Sequence, residues 1–351
     1  MSMRLFLLPI FLSMALPAVA SAESSGGDPE AWQVSDTGVH VVAAGVTVPQ
    51  EAGGLALVKS GEVAGDTPGL DNYAQFASAD GVVQATAFIF MPSYADAAIS
   101  AYMTDKAVLE LFGPTTRRTS YGLVSAGGHK DVALRSTYDG AADGELVTEA
   151  AFVHAGKWMV KLRVTGPTDR AQEVHTGMDA LLAGLSFDKG ATLYDAAARK
   201  VDACPAQDGP SAQLIKTAIQ GPVVPEGATE RAFPRDGQDS LCVRGSVSVG
   251  DERYDMLQAA GRGDAAGPII IPMDDAGKVM RFDPVPGSAA YRLTIHQVGR
   301  TDVYNVYDRV PTTQQIAAII DGSDNKGSTR VLSAAHAPNG SMTVSYDAGR
   351  P

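Results

Sequence analysis

Short runs of alternating apolar and polar residues, divided by glycine-rich or acidic turns, make up most of the chain. Alternation with a period of two marks strands buried on one face. The first such runs are Val39–Val48 and Leu55–Val58. Tyr73–Ala77 and Val82–Met91 flank Ser78–Ala79–Asp80–Gly81, whose Asp-Gly pair predicts a hairpin. Four more strands are expected at 116–125, 130–138, 145–154 and 157–165, joined by Gly127–Gly128, by the loop Gly140–Gly144 and by Ala155–Gly156. Two stretches differ in period. Pro92–Ser93 opens a helix to about Phe112, with Ser93 as cap and Asp96 favouring the positive helix start. From Thr168 to about Leu185, Ala171, Val174, Met178, Leu181, Leu182 and Leu185 recur at steps of three and four, one apolar helical face.

Residues 189–210 read as a connector with a short helix near 193–200, and a second helix is expected at 211–220. Strands follow near 240–249, 252–259, 268–272, 278–282, 290–297 and 302–308, with Met273–Lys278 as a hairpin tip. Pro311–Thr312 starts another helix, with Gln315 in the capping-box position and Ile316, Ile319 and Ile320 on its buried side. Strands near 329–334 and 341–346 complete the pattern. The expected fold class is α+β in two domains, 38–188 and 211–351, each a mainly antiparallel sheet packed with a few helices. Length agrees, since 351 residues exceed what one core of about 100–200 residues serves.

Residues 1–22 combine a basic start at Arg4, an apolar run and the small-residue end Ala20–Ser21–Ala22, which reads as a signal peptide. Residues 23–37 are expected as a flexible N-terminus. The destination implied is the periplasm or the exterior, with no membrane insertion after the leader is removed. A net charge of −12, with acid exceeding base in both halves, disfavours nucleic acid and anionic lipid as partners. Cys204 and Cys242 are the two cysteines, and in an oxidising compartment an isolated pair forms one disulfide.

The strand Gly156-Lys-Trp-Met-Val-Lys-Leu-Arg-Val-Thr-Gly-Pro167 runs straight into the helical segment Thr168–Phe187. Together with the order strands–helix–strands–helix, this first half resembles the PsbP-like fold. The resemblance implies an antiparallel sheet layered with helices, and a non-catalytic partner or assembly role outside the cytoplasm.

Along that strand Trp158, Val160, Leu162 and Val164 face one side and Lys157, Met159, Lys161 and Arg163 the other. The helix from Thr168 needs the Trp158 face, which leaves the cations on the opposite one. Arg135 lies on the neighbouring strand and Arg117–Arg118 on the one before. If the registers align, Lys157, Lys161, Arg163 and Arg135 form a face for a small anionic ligand or an acidic envelope protein; otherwise they pair with nearby acids on a solvated face. Catalytic patterns are thin. Gly122-Leu-Val-Ser125-Ala-Gly127 has one residue too many before its serine for a nucleophile elbow. Ser186–Lys189 and Ser323–Asn325 match S-x-x-K and S-D-N, but Ser186 ends a helix where it should open one. None of His40, His129, His154, His175, His296 and His336 has metal-site spacing, and Asp321–Gly327 lacks the glycine and glutamate of a calcium loop. Arg262–Gly263–Asp264 reads as a chance turn. No cofactor or metal is implied. The expectation is an exported, soluble binding or accessory protein of the cell envelope rather than an enzyme; the alternative is an envelope hydrolase whose His, acid and Ser converge from distant residues.

Overall fold

The computed structural model describes residues 32–63, 68–204, 209–215, 241–259, 267–285, 287–324, 327 and 329–347. The expected leader, residues 23–31, Arg262–Asp264 and residues 216–220 of the expected helix lie outside them.

An eight-stranded antiparallel sheet organises the first half, in the spatial order Glu51–Ala52, Leu55–Glu62, Asp71–Ser78, Gln84–Phe90, Trp158–Pro167, Leu146–Ala155, His129–Ala141, Arg117–Ala126. After Gln84–Phe90 the chain leaves the sheet through helix α1 (Ala97–Phe112), returns at the far edge, and meanders back until Trp158–Pro167 closes the gap. Helix α2 (Ala171–Gly184) then covers one face. Val160, Leu162 and Val164 pack there against Val174, Met178 and Leu181, beside a small sheet of Trp32–Ser35, Gly38–Val41, Val46–Pro49 and Ser186–Phe187. On the other face Leu134, Phe152 and Met159 pack under Ala98, Ala101 and Val108 of α1. Both faces are therefore covered, and the face expected to be wet is not.

Several local expectations change for identifiable reasons. Helix α1 starts at Ala97 because Asp96, not Ser93, accepts the first amides, those of Ala98 and Ile99 at 2.8 and 3.0 Å. Trp32–Ser35, assigned above to a flexible N-terminus, is a strand paired with Gly38–Val41. No helix forms at 193–200. That segment spends its backbone on the sheet ends instead, with the Tyr194 N–H on the His154 carbonyl and the Ala196 N–H on that of Asp131, each at 3.1 Å. Leu214–Ile215, expected as helix, pairs as a strand with Val306–Tyr307.

The second half is a ten-stranded sheet. Its main path runs Val201–Ala203, Leu241–Val249, Glu252–Ala259, Ile269–Pro272, Val279–Pro284, Tyr291–Gln297, Arg300–Tyr307, Leu332–His336, Met342–Tyr346. Only the first pair is parallel among the described strands. Beside that pair Cys204 and Cys242 form the expected disulfide. Closing a loop of this length contributes roughly 4 kcal/mol in the chain-entropy model. Helix α3 (Thr313–Ile320) carries the expected capping box of Thr312 and Gln315 and buries Ile316 and Ile319 against Phe282 and Leu293.

The two sheets share a core. Tyr94 and Ile99 of the first half pack with Leu241, Leu257, Ile270 and Val279 of the second. Polar contacts flank it: the Tyr102 hydroxyl donates to Asp255 at 2.7 Å, and the Ser93 hydroxyl to the Arg300 carbonyl at 2.7 Å. Backbone joins backbone as well. Pro92 bridges Val298, the Gly299 N–H reaches the Met91 carbonyl at 2.8 Å, and the Ser93 N–H reaches the Gln297 carbonyl at 3.1 Å. Gly277 lets the Asp274–Lys278 turn approach this junction, since a Cβ there would stand 2.7 Å from the Pro92 side chain. Among the described residues no helix is long and apolar enough to cross a membrane.

Candidate functional site

Strand geometry decides where the four candidate cations go. Lys161 lies opposite Phe88 and Phe152, and Arg163 opposite Thr86 and Ala150, so both occupy the α1 face. Arg135 lies opposite Ala151, which itself pairs with Leu162; it therefore occupies the α2 face. The registers do not align the set, and one residue of offset turns Arg135 away. Lys161 is buried and pairs with Asp275 of the second sheet at 2.6 Å. Arg163 lays its guanidinium over the Phe112 ring at 5.4 Å. Arg135 is held by Glu149 and Asp179, each at 2.5 Å. Lys157 alone of the four borders a large cavity.

That cavity, of about 1420 Å³, is a cleft between the two sheets. Its apolar lining includes Leu70, Met91, Trp158 and Val298. The turn Asp274–Lys278 and the turn Ala337–Gly340 also border it. Charged groups of both signs line it, and their states differ. Arg300 is committed to Asp302 through two hydrogen bonds of 2.9 and 2.6 Å. Lys157 has no carboxylate within ion-pair reach among the described residues, whereas Lys278 lies near enough to Asp274 for its charge to lower that carboxyl. Glu62 accepts from the Gly69 amide through Oε2 at 3.1 Å, but its buried Oε1 has no partner among the described residues. His336 is 9% exposed, and neither ring nitrogen has a hydrogen-bond partner among the described residues. Burial, and then the positive charge of Lys157, push the His336 imidazole below its usual range, so it is neutral at neutral pH.

Asp274 lines the cleft, and its charge acts on Asp71. Burial and the negative charge of Asp274 push the Asp71 carboxyl up to about 6. Asp274 is crowded by the surrounding walls, which raise it, while the amides of Ala276 and Lys278 at 3.0 and 2.8 Å hold it down. Because Asp274 is exposed in area and holds two donors, Asp71 is the better keeper of the proton.

Glu62, Asp71, Asp274, Lys278 and His336 were not among the sequence candidates. Asp274 and Lys278 share the turn at 273–278, the one visible signal, while Glu62, Asp71 and His336 come from separate strands that no local spacing ties to it.

A second cluster bears on the hydrolase alternative. On the α2 face His175 Nδ1 stands 2.6 Å from Oε1 of the buried Glu149. Glu149 also accepts from Arg135 and from Thr137 at 2.9 Å. Ser120 is near, but its hydroxyl donates to Thr137 at 2.8 Å and makes no hydrogen bond to His175. The carboxylate here satisfies three neighbours, which is what a buried acid requires for stability. Asp321 and Asp324 of the loop considered for calcium accept from the amides of Ser323 and Gly327, as turn-forming acids do.

No family model, no curated protein and no solved structure matches this chain.

Proposed function

We propose that the chain is an exported binding protein of the cell envelope that holds a small anionic ligand in the cleft between its two sheets. The observation that carries this reading is Lys157, an amine lining a large cleft with no carboxylate within ion-pair reach among the described residues, in a chain of net charge −12. A polar group left unmatched beside apolar walls is what a ligand site requires. Lys161 and Arg135, by contrast, are matched by acids. Export is supported by the leader-like start and by the disulfide, which belongs to an oxidising compartment. A binding role also agrees with the PsbP-like resemblance of the first half, although fold likeness assigns no site.

Purification without denaturation, followed by mass spectrometry of small molecules released on unfolding, tests the reading. The expected result is a stoichiometric anion that is lost from Ala276→Trp, which fills the cleft from its exposed turn. A ligand retained by a folded Ala276→Trp protein, or none in either, overturns it.

A further inference from the structure

A second surface, sharing no lining residue with the cleft, lies where helix α2 meets the edge of the eight-stranded sheet. Arg117–Ala126 ends that sheet, and no described strand pairs with its outer side. Its pairing with His129–Ala141 shifts register at Arg118/Ser120 and again at Val124/Ala126. Between the two shifts Ser120–Val124 pairs regularly and carries no charge, so no gatekeeper residue guards its free edge. Ser120, Gly122 and Val124 lie opposite Thr137, Arg135 and Ala133, which puts them on the α2 face. Facing them, His175, Asp179 and Leu182 recur at steps of four and three along one side of α2. Strand and helix enclose two neighbouring hollows, of about 470 and 410 Å³, that share Val124 and Arg135. Gly122 keeps this trough open, since a Cβ there would meet nothing within 4 Å. The trough is accessible and acidic. The Asp179 side chain is 68% exposed and that of His175 37%. Among the described residues Arg135 is the one Lys or Arg of the lining, against the carboxylates of Asp179 and Glu149.

We infer that Ser120–Val124 takes up an extended basic segment of a partner protein as an added strand, with a lysine or arginine of that segment crossing Gly122 to set its cation beside Asp179. Backbone pairing with the free edge supplies the affinity, and the trough supplies the choice of side chain. Neighbouring strands lie about 4.8 Å apart, so only a long side chain spans the edge strand to reach the trough, and Lys and Arg are long. Charge decides for a cation: the lining holds two carboxylates for one guanidinium, and the whole chain carries −12.

Titration of the full chain with the capped peptides acetyl-Thr-Lys-Val-Lys-Thr-amide and acetyl-Thr-Glu-Val-Glu-Thr-amide, followed by amide NMR and hydrogen exchange, tests this. The lysine peptide is expected to bind and to slow exchange of amides within Ser120–Val124, and the glutamate peptide to do neither. Gly122→Val, whose added methyls enter open space and suit a strand, is expected to fold and to abolish binding. Asp179→Asn leaves Arg135 its bonds to Glu149 and is expected to weaken binding about two- to fivefold, as for an exposed ion pair. Thermal unfolding of both variants verifies that they fold. Failure of the lysine peptide to bind, equal binding of the glutamate peptide, or binding that leaves the Ser120–Val124 amides unprotected overturns the inference. So does binding that ignores a folded Gly122→Val. Sedimentation of the chain alone covers the other occupant: a dimer that Gly122→Val abolishes would mean that a second copy, not a basic partner, takes this edge. The cleft reading is untouched by any of these results.

Discussion

Lys161 and Asp275 meet at 2.6 Å across the boundary between the two sheets. The lysine side chain is 7% exposed, while the aspartate lies on the Asp274–Lys278 turn with 43% of its side chain in solvent. Removing the acid leaves a buried ammonium unmatched; replacing the lysine by methionine leaves only a hydrated carboxylate. Asp275→Ala is expected to cost about 1–3 kcal/mol, reduced from a fully buried pair by solvent, and Lys161→Met less than half of that. Urea denaturation of the two variants checks the order, and equal losses would contradict it. The same contact means that charge reversal at Lys161 perturbs folding before it reports on any ligand.

Asp71 sets a pH dependence of opposite sign to that of an ordinary paired carboxylate. Its pKa is raised in the folded chain, to about 6, so its contribution is fully present below the unfolded value of 3.8 and is lost as pH rises through about 6. Asp71→Asn is therefore expected to raise the melting temperature near neutral pH, by up to roughly 3 kcal/mol of stability, and to change little near pH ~4. Melting curves across that window decide it. A gain that persists unchanged in acid would show that something other than the proton is at work.

His296 acts on the acid side. It is buried among Ser93, Thr294 and Thr301, with ring contacts of 3.2, 3.1 and 3.3 Å, and the Tyr94 ring lies tilted beside it at 5.6 Å. Burial, then the charge of Arg281, push its imidazole down to about 3. The unfolded chain takes up a proton below about 6.5 that the folded chain refuses, so stability falls with acid at up to about 1.4 kcal/mol per pH unit. The imidazole resonances of His296 are expected to stay fixed from about pH 7 to 4. A titration midpoint near 6 would refute this.

Glu149 is the anchor of the α2 face. Glu149→Gln keeps its shape but leaves Arg135 with the exposed Asp179 alone, and is expected to cost about 3 kcal/mol. Chemical denaturation measures it, and Arg135→Met combined with Glu149→Gln should recover part of the loss in a double-mutant cycle.

Elements governed by local chemistry were legible in the sequence. The Asp80–Gly81 turn, the stripe of α2 from Val174 to Leu182 and the Thr312–Gln315 capping box are each written within a few residues. What escaped depends on distant partners. Ser93 reads as a helix cap until the Arg300 carbonyl takes its hydroxyl. The segment near 193–200 has helical composition, yet Asp131 and His154 claim its amides. Arg135 and Arg163 sit on strands either side of Leu146–Ala155, whose faces only register can assign, and register belongs to the pairing of whole strands. For the same reason the cleft was invisible: Glu62, Asp274 and His336 approach one another only after two sheets have docked.

The hydrogen bond from Gly299 to Met91, with the Pro92–Val298 bridge beside it, ties the sheets together where the cleft is formed. Two lobes stitched by main chain and a common core cannot swing apart as jaws without breaking both. The cleft is thus a fixed slot, and a ligand held there as proposed is expected to leave the radius of gyration of the molecule unchanged in small-angle scattering.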